Sequence, residues 1–501
     1  MHRLMTSSSA EPTINLPVLK GRTALDVSSR RLKGASEMDV SVREVEELAR
    51  EAYVYGLQQA VFSETRFTFT QFEAAPVYAG VNSLTFAYQP SGPDDRAVVT
   101  PNATTLYGAG FLDLLNDPVV VELPAIDDRY FGFQVMDQYG DYYFYAGNQF
   151  TGRGAATFLL VGPDWQGQMP SDFSGVQIIR APSAAGFMIA RVALKSYAED
   201  EVKLVNGYQD QITATPLAQW LEARHEGVDV VPRPKLKGAY PIFPRMPQLA
   251  QAMVEVQTAI DYFQLLSLAI NDPTMTKRTD SRKEVETLSR LAAIGLAEGA
   301  VFDAETLDPS VKSALEAGFE AGKEEVKTAV REGMTPMNGW MVTKDMGNFG
   351  TDYLTRAAIA DAGWAGPEAK SHTAGFCFVD ADGQQLIGQR AYTLTFDVDN
   401  LPPCTELWSI PLYDIEGYFI HNEIDRYTVN SFMYERGEFD VDDQGRLTFY
   451  IQCERPTDPN HARNWLPAPA GDFRFTARFY GPKVPLIDGS YPMPRPQQAA
   501  E

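Results

Sequence analysis

Cysteine is close to absent from this chain: Cys377, Cys404 and Cys453 are the three in 501 residues, far apart and in no CxxC pair. That excludes a disulfide framework or a zinc site of cysteine type, and predicts buried free thiols in a reducing compartment. Histidine is nearly as scarce, with five. No run of about 18 apolar residues occurs, so no membrane-spanning helix is expected. The opening MHRLMTSSSAEPTINLPVLKG lacks the apolar stretch of a secretory signal, which points to the cytoplasm. Positive charge is also short: 43 Lys and Arg face 66 Asp and Glu, a net charge of -23. Such a chain repels phosphate backbones and anionic lipid, so neither nucleic acid nor a membrane is an expected partner. The signatures of common chemistries are missing too. HEGVD at His225 is not HExxH, GFEAGKEE lacks the spacing of a P-loop, GAG and GRG are too short for a dinucleotide fingerprint, and there is no G-x-S-x-G or S-x-x-K.

What is present is globular: 44% hydrophobic and 22% charged residues, with aromatics at 11% that favour β structure. The length suits two or three domains. The spacing predicts a flexible arm over 1–40, then a helix over 41–63 with Ser41 as N-cap, Glu44 at N3, and Val45, Leu48, Ala52, Tyr55 and Ala60 on one face. Short strands broken by Gly, Pro and Asp follow, among them PVVVELP, RYFGFQVMD, DYYFYAG, VQIIRAPS and FMIARVALK. They make 41–198 a helix plus a β-sandwich. Residues 199–372 read as a helical segment. It includes a long amphipathic helix with Leu249, Met253, Val256, Ile260, Phe263 and Leu266 along one stripe, and another with Asp308 as cap, Pro309 first and Gly333 as stop. From 373 to 485 strands return (AYTLTFDV, LWSIPLYD, RLTFYIQC, FRFTARFYG) as a second sandwich, and 486–501, with SYPMPRPQQAAE, reads as a loose tail. The expected class is α+β and β-rich: two antiparallel sandwich or jelly-roll-like domains with a mainly helical segment between them.

Several motifs resemble a known pair of bacterial families. VVTPNATTLY (98–107), LPAIDDRYFGFQVMDQYGDYYFYAG (123–147) and FLLVGPDWQG (158–167) are similar to domain of unknown function 1254. TELWSIPLYD (405–414), NEIDRYTVNS (422–431) and FRFTARFYGP (473–482) are similar to its habitual partner, domain of unknown function 1214. The resemblance implies paired β-rich domains with helices and no agreed activity. Relatives often carry Asp where this chain has Thr104, and many begin with a secretory signal not found here.

Four groups of side chains are candidates for chemistry. Asn102, Thr104, Thr105 and Tyr107 stand at a strand entry, where they can bond a polar ligand or satisfy their own turn. Asp137 and Asp141 flank a turn at Gly140 amid Tyr139, Tyr142, Tyr143 and Tyr145; paired carboxylates suit acid/base work or a hard cation, and the alternative is a solvated turn. Asn422, Arg426 and Tyr427 offer an anion clamp or an internal ion pair with Glu423 or Asp425. His421-Asn-Glu423 on a strand, with His461, has the spacing of a facial triad for iron, against ordinary loop histidines.

These patterns leave three function classes open. The leading one is a cofactor-independent hydrolase or lyase acting on a small polar or carbohydrate-like substrate in a cleft between the β domains. Its acid/base group would be Asp137 or Asp141, its phenol Tyr107 or Tyr139, its anion clamp Arg426, and Tyr142 and Trp408 would add to substrate binding. The others are a sugar- or acid-binding protein without turnover, and an assembly module whose aromatics bury an interface between like subunits. No cofactor is expected, with a divalent metal as the alternative.

Overall fold

Helix α1 (Val42–Thr70) starts where Ser41 accepts the Glu44 amide at 3.3 Å, and it runs beyond the predicted stop because ETRFTFT keeps the helical register. In this computed structural model the described residues are 40–96, 99–115, 117–168, 176–226, 258–275, 281–343 and 346–499. The expected arm over 1–40 lies outside them.

The front half contains β1 (Thr85–Phe86), β2 (Thr105–Asp113), β3 (Val119–Leu123), β4 (Phe131–Asp137), β5 (Tyr142–Gly147), β6 (Ala156–Val161), β7 (Gln177–Arg180), β8 (Ala185–Ala193) and β9 (Thr213–Pro216). They pair as two sheets, β1-β2-β8-β4-β5 and β7-β6-β3-β9. Alternation along each strand decides what each face covers. Leu106, Phe133 and Met188 of the first sheet meet Val119, Val121 and Phe158 of the second. The first sheet's other face, with Phe111, Phe187 and Ile189, packs on helices.

Those helices form a layer with α1. Helices α2 (Glu199–Gln209) and α3 (Leu217–Glu226) stay with the front sandwich, where Trp220 of α3 covers Val120 and Leu159. The layer itself holds α4 (Ala259–Ile270), α5 (Arg282–Leu291), α6 (Pro309–Glu332) and α7 (Tyr353–Gly363). Helix α6 has Asp308 as N-cap, Pro309 in its first turn and Gly333 as C-cap. It lies so close to α1 that a Cβ on Gly318 would come within 2.2 Å of the Glu46 carbonyl oxygen. Helix α4 is capped by Thr258, which accepts the Asp261 amide. Leu249, Met253 and Val256, the first half of the expected stripe, lie outside the described residues.

The rear half contains β10 (Met334–Met337), β11 (Trp340–Thr343), β12 (His372–Cys377), β13 (Tyr392–Asp397), β14 (Cys404–Asp414), β15 (Thr428–Asn430), β16 (Arg446–Gln452), β17 (Trp465–Pro467), β18 (Phe473–Pro482) and β19 (Gln497–Gln498). Its sheets are β10-β11-β12-β18-β14-β15 and β17-β16-β13-β19. Trp340, Trp408, Phe475 and Phe479 of the first face Leu394, Phe449 and Ile451 of the second. The class is thus α+β and β-rich: among the described residues there are four sheets, none closed, in two sandwiches with a helical layer.

Some local expectations are corrected. The segment 199–372 is not helical throughout: β9 completes a front sheet, and the β10–β11 hairpin, turned by Asn338-Gly339, joins the rear one. The segment 486–499 is tied down rather than loose. Tyr491 and Met493 are buried in the rear core, and β19 pairs with β13. Of the three free thiols, Cys377 is buried, Cys404 half-buried and Cys453 exposed.

Candidate functional site

The turn PNATTLY sits where the front sandwich meets the outer face of the rear sheet. Asn102 builds it: its Oδ1 accepts the amides of Thr104 (2.8 Å) and Thr105 (3.1 Å) and the Thr104 hydroxyl. Its Nδ2 points the other way and donates to two phenol oxygens, Tyr107 at 3.1 Å and Tyr480 at 2.5 Å. The turn is therefore both a local brace and a clamp on two phenols from different domains. Just before it, Thr100 holds φ at 53°, a left-handed conformation that a β-branched residue adopts only under constraint. The constraint is visible: its amide donates to Gly417 O and its carbonyl accepts from Arg478.

Strand register assembles the rest. Tyr107 of β2 lies opposite Arg191 of β8. The guanidinium sits 5.1 Å from its ring centroid and favours the ionised phenol. In β18 the odd residues Phe473, Phe475, Ala477 and Phe479 fill the rear core, so Arg478 and Tyr480 must face outward, toward the front domain. His372 lies opposite Tyr480 with the rings stacked at 5.1 Å, and Ser409 lies opposite Arg478. Tyr130 closes the group, 4.9 Å ring to ring from Tyr480.

The charges are unusual. Arg191 is 5% exposed, and the charged forms that favour its protonation are those of phenols: Tyr107, Tyr130, Tyr142 and Tyr480. Arg478 likewise faces Tyr413, Tyr107 and Tyr480. Among the described residues neither makes an ion pair with a carboxylate, and Nε of both has no hydrogen-bond partner. Burial would raise the Tyr107 phenol, but the two guanidiniums outweigh it and bring the phenol down to about 7. Tyr480 goes the other way: burial and the neighbouring Tyr107 push it well above the ordinary phenol range. Burial, then the same two arginines, keep His372 neutral, and among the described residues its Nδ1 has no partner. Tyr107 and Arg478 are enclosed by protein yet keep accessible surface, so open space adjoins them.

The family described as Protein of unknown function (DUF1254) matches residues 81–216, and the one described as Protein of unknown function (DUF1214) matches residues 373–484. The chain pairs a DUF1254 domain with a DUF1214 domain. The chain is similar in fold to the VPA0106 protein from Vibrio parahaemolyticus, with 21% identity, a TM-score of 0.64, and 91% of this chain and 100% of that one covered. An uncharacterized protein from Burkholderia cenocepacia aligns with 11% identity and a TM-score of 0.39 over 89% of this chain and 86% of that one. No curated protein matches. Asn102, Tyr107, Tyr130 and Arg191 fall in the DUF1254 match, Arg478 and Tyr480 in the DUF1214 match, so the cluster draws on both.

Of the side chains singled out from sequence, Asn102 and Tyr107 are in this cluster, and Thr104, fully buried, reaches Ser409 at 3.4 Å. Thr105 is buried beside them, and its hydroxyl has no partner among the described residues. Tyr142 faces Arg191 electrostatically while its hydroxyl donates to Ala365 O. The carboxylate pair of the DUF1254 half lies elsewhere. Asp137, 2% exposed, accepts the amides of Tyr139 and Asp141 and caps its own turn. Asp141 accepts the amides of Phe349 and Gly350, tying that turn to the loop before α7. The Tyr139 phenol donates to Glu284 in the helical layer.

The DUF1214 half likewise separates what the sequence grouped. Asn422 caps its own loop through the Ile424 and Arg426 amides, and Tyr427 donates to Asp425. Arg426 donates to the carbonyls of Arg463 and Trp465 within the rear domain, so the guanidinium that meets the front phenols is Arg478 instead. Trp408 is in the sandwich core against Phe396. His421 and Glu423 lie in a loop, not a strand, bound to Asp94 and Arg455, while His461 stacks on Tyr450. Those three are not brought together. Among the described residues no group of three His, Cys, Asp or Glu converges as a metal site would need.

Arg191, Arg478, Tyr480, His372 and Tyr130 were missed. A signal existed: FMIARVALK and FRFTARFYG each put one arginine inside an otherwise apolar strand, where an unpaired charge is costly without a task.

Proposed function

We propose that the chain is a cofactor-independent acid/base enzyme of lyase type, working on a small polar substrate between the two β domains. Tyr107 as phenolate takes the proton from a substrate carbon, and Tyr480, which keeps its proton, gives it to the oxygen that leaves. The substrate gains a double bond, and solvent resets both phenols between turnovers. One observation carries this: two phenols held by a single amide, Asn102, have proton affinities driven apart by their surroundings. Such a split is how one site keeps a base and an acid side by side. The carboxylates Asp137 and Asp141, engaged with backbone amides, hand the proton work to phenols in this reading.

A panel of small hydroxy acids, uronates and sugars, followed for double-bond formation in the ultraviolet, tests it. Turnover should rise with pH through about 7 as Tyr107 ionises. Tyr107→Phe should lower kcat by about 10²–10⁴ with the fold intact. Full activity in that variant would remove Tyr107 from the mechanism.

A further inference from the structure

The acid/base reading leaves a charge imbalance. Arg191 and Arg478 bring two positive charges to one spot. Tyr107 as phenolate cancels one, and Tyr130, Tyr480 and His372 are held neutral. An uncompensated buried guanidinium is expensive, and natural cores rarely keep one without a partner. Nε of both arginines and Nδ1 of His372 are buried and have no hydrogen-bond partner among the described residues.

We propose that Arg191 and Arg478 are the receptor for a substrate monocarboxylate, held between the sandwiches beside Tyr107, Tyr480 and His372. The class follows from charge and shape. One remaining positive charge matches a single carboxylate and undershoots a phosphate dianion. A planar guanidinium presents paired N–H donors that fit two carboxylate oxygens. The walls are phenol rings, Tyr107, Tyr130 and Tyr480, which suit a small organic body more than a hydrated inorganic ion. The chain's net charge of -23 further disfavours polyanions. The inference rests on the acid/base reading for its reaction: a proton beside a carboxylate becomes removable when two guanidiniums absorb the charge that develops on the carboxylate oxygens.

The test uses the full chain with acetate as probe, against inorganic phosphate and chloride at matched ionic strength. Melting temperature and phenolate absorbance are both recorded. Acetate should stabilise saturably, since binding only the folded state raises apparent stability. It should also move the Tyr107 midpoint up by about one pH unit, because a new anion beside a phenolate opposes its ionisation. Arg191→Lys, which keeps the charge but not the fork, should weaken acetate about tenfold or more; Arg478→Gln should do the same. No saturable acetate effect on the wild type overturns the proposal, as does phosphate binding tighter than acetate. The two readings fail separately: acetate binding with a silent Tyr107 sinks the acid/base mechanism and the charge count drawn from it but keeps the two arginines as the carboxylate's receptor, whereas a Tyr107 midpoint near 7 indifferent to acetate does the reverse.

Discussion

Replacing Tyr107 by Phe should change how stability depends on pH, in a direction fixed by the structure. Arg191 and Arg478 outweigh burial and bring the folded phenol down to about 7, against 10.0 for an ordinary tyrosine. Between those values the unfolded chain binds the extra proton, so stability rises with pH across that window and the gain is lost as pH falls through about 7. The depression of about three pH units, at roughly 1.4 kcal/mol each, sets a ceiling of roughly 4 kcal/mol above about pH 10. Glu64 tilts the other way. Burial pushes its carboxyl up to about 8, so it costs stability as pH rises from 4.5 to 8. The decisive quantity is therefore the difference between wild type and Tyr107→Phe in urea midpoints, measured from about pH 6 to about pH 9. That difference should grow with pH. A parallel spectroscopic titration should show one early phenolate step in a protein with 23 tyrosines, because Tyr55, Tyr130, Tyr139 and Tyr480 are all pushed up. A pH-independent difference, or an early step that survives Tyr107→Phe, would refute the electrostatic argument.

Two further outcomes follow from hydrogen bonding. Asn102→Ala removes the acceptor for two backbone amides and the donor shared by two phenols, and should cost roughly 2–3 kcal/mol in chemical denaturation. It should also collapse the separation of the two phenol titrations. Glu284→Ala leaves the hydroxyls of Tyr55, Tyr139 and Tyr353, which donate to it at 2.7, 2.8 and 2.7 Å, without their buried acceptor. Calorimetry should show a loss of roughly 3–5 kcal/mol, and an unchanged melting temperature would mean that water replaces the carboxylate.

Strands, caps and turns could be read along the chain because their causes are local. Ser41, Pro309 and Gly333 act within one turn of helix, and the alternation in RLTFYIQC acts within one strand. Asn102 and Tyr107 were visible for the same reason, as polar groups gathered at a strand entry. Arg478 was not, because alternation says only that it faces away from Phe479, toward whatever covers the sheet. That cover is supplied by residues almost 400 positions earlier, around Thr100, whose carbonyl lies 378 residues from the guanidinium it binds. The acidic turn at Asp137 misled by chemistry: carboxylates that cap backbone amides look, in sequence, like carboxylates available to a substrate. The tail misled by composition, since Pro and Gln conceal the two side chains, Tyr491 and Met493, that anchor it.

Arg191 belongs to one sandwich and Arg478 to the other, and both favour the ionised form of the Tyr107 phenol. The phenolate is then an ionic clasp across the seam. Protonating it would leave two like charges facing each other where one bridge had been.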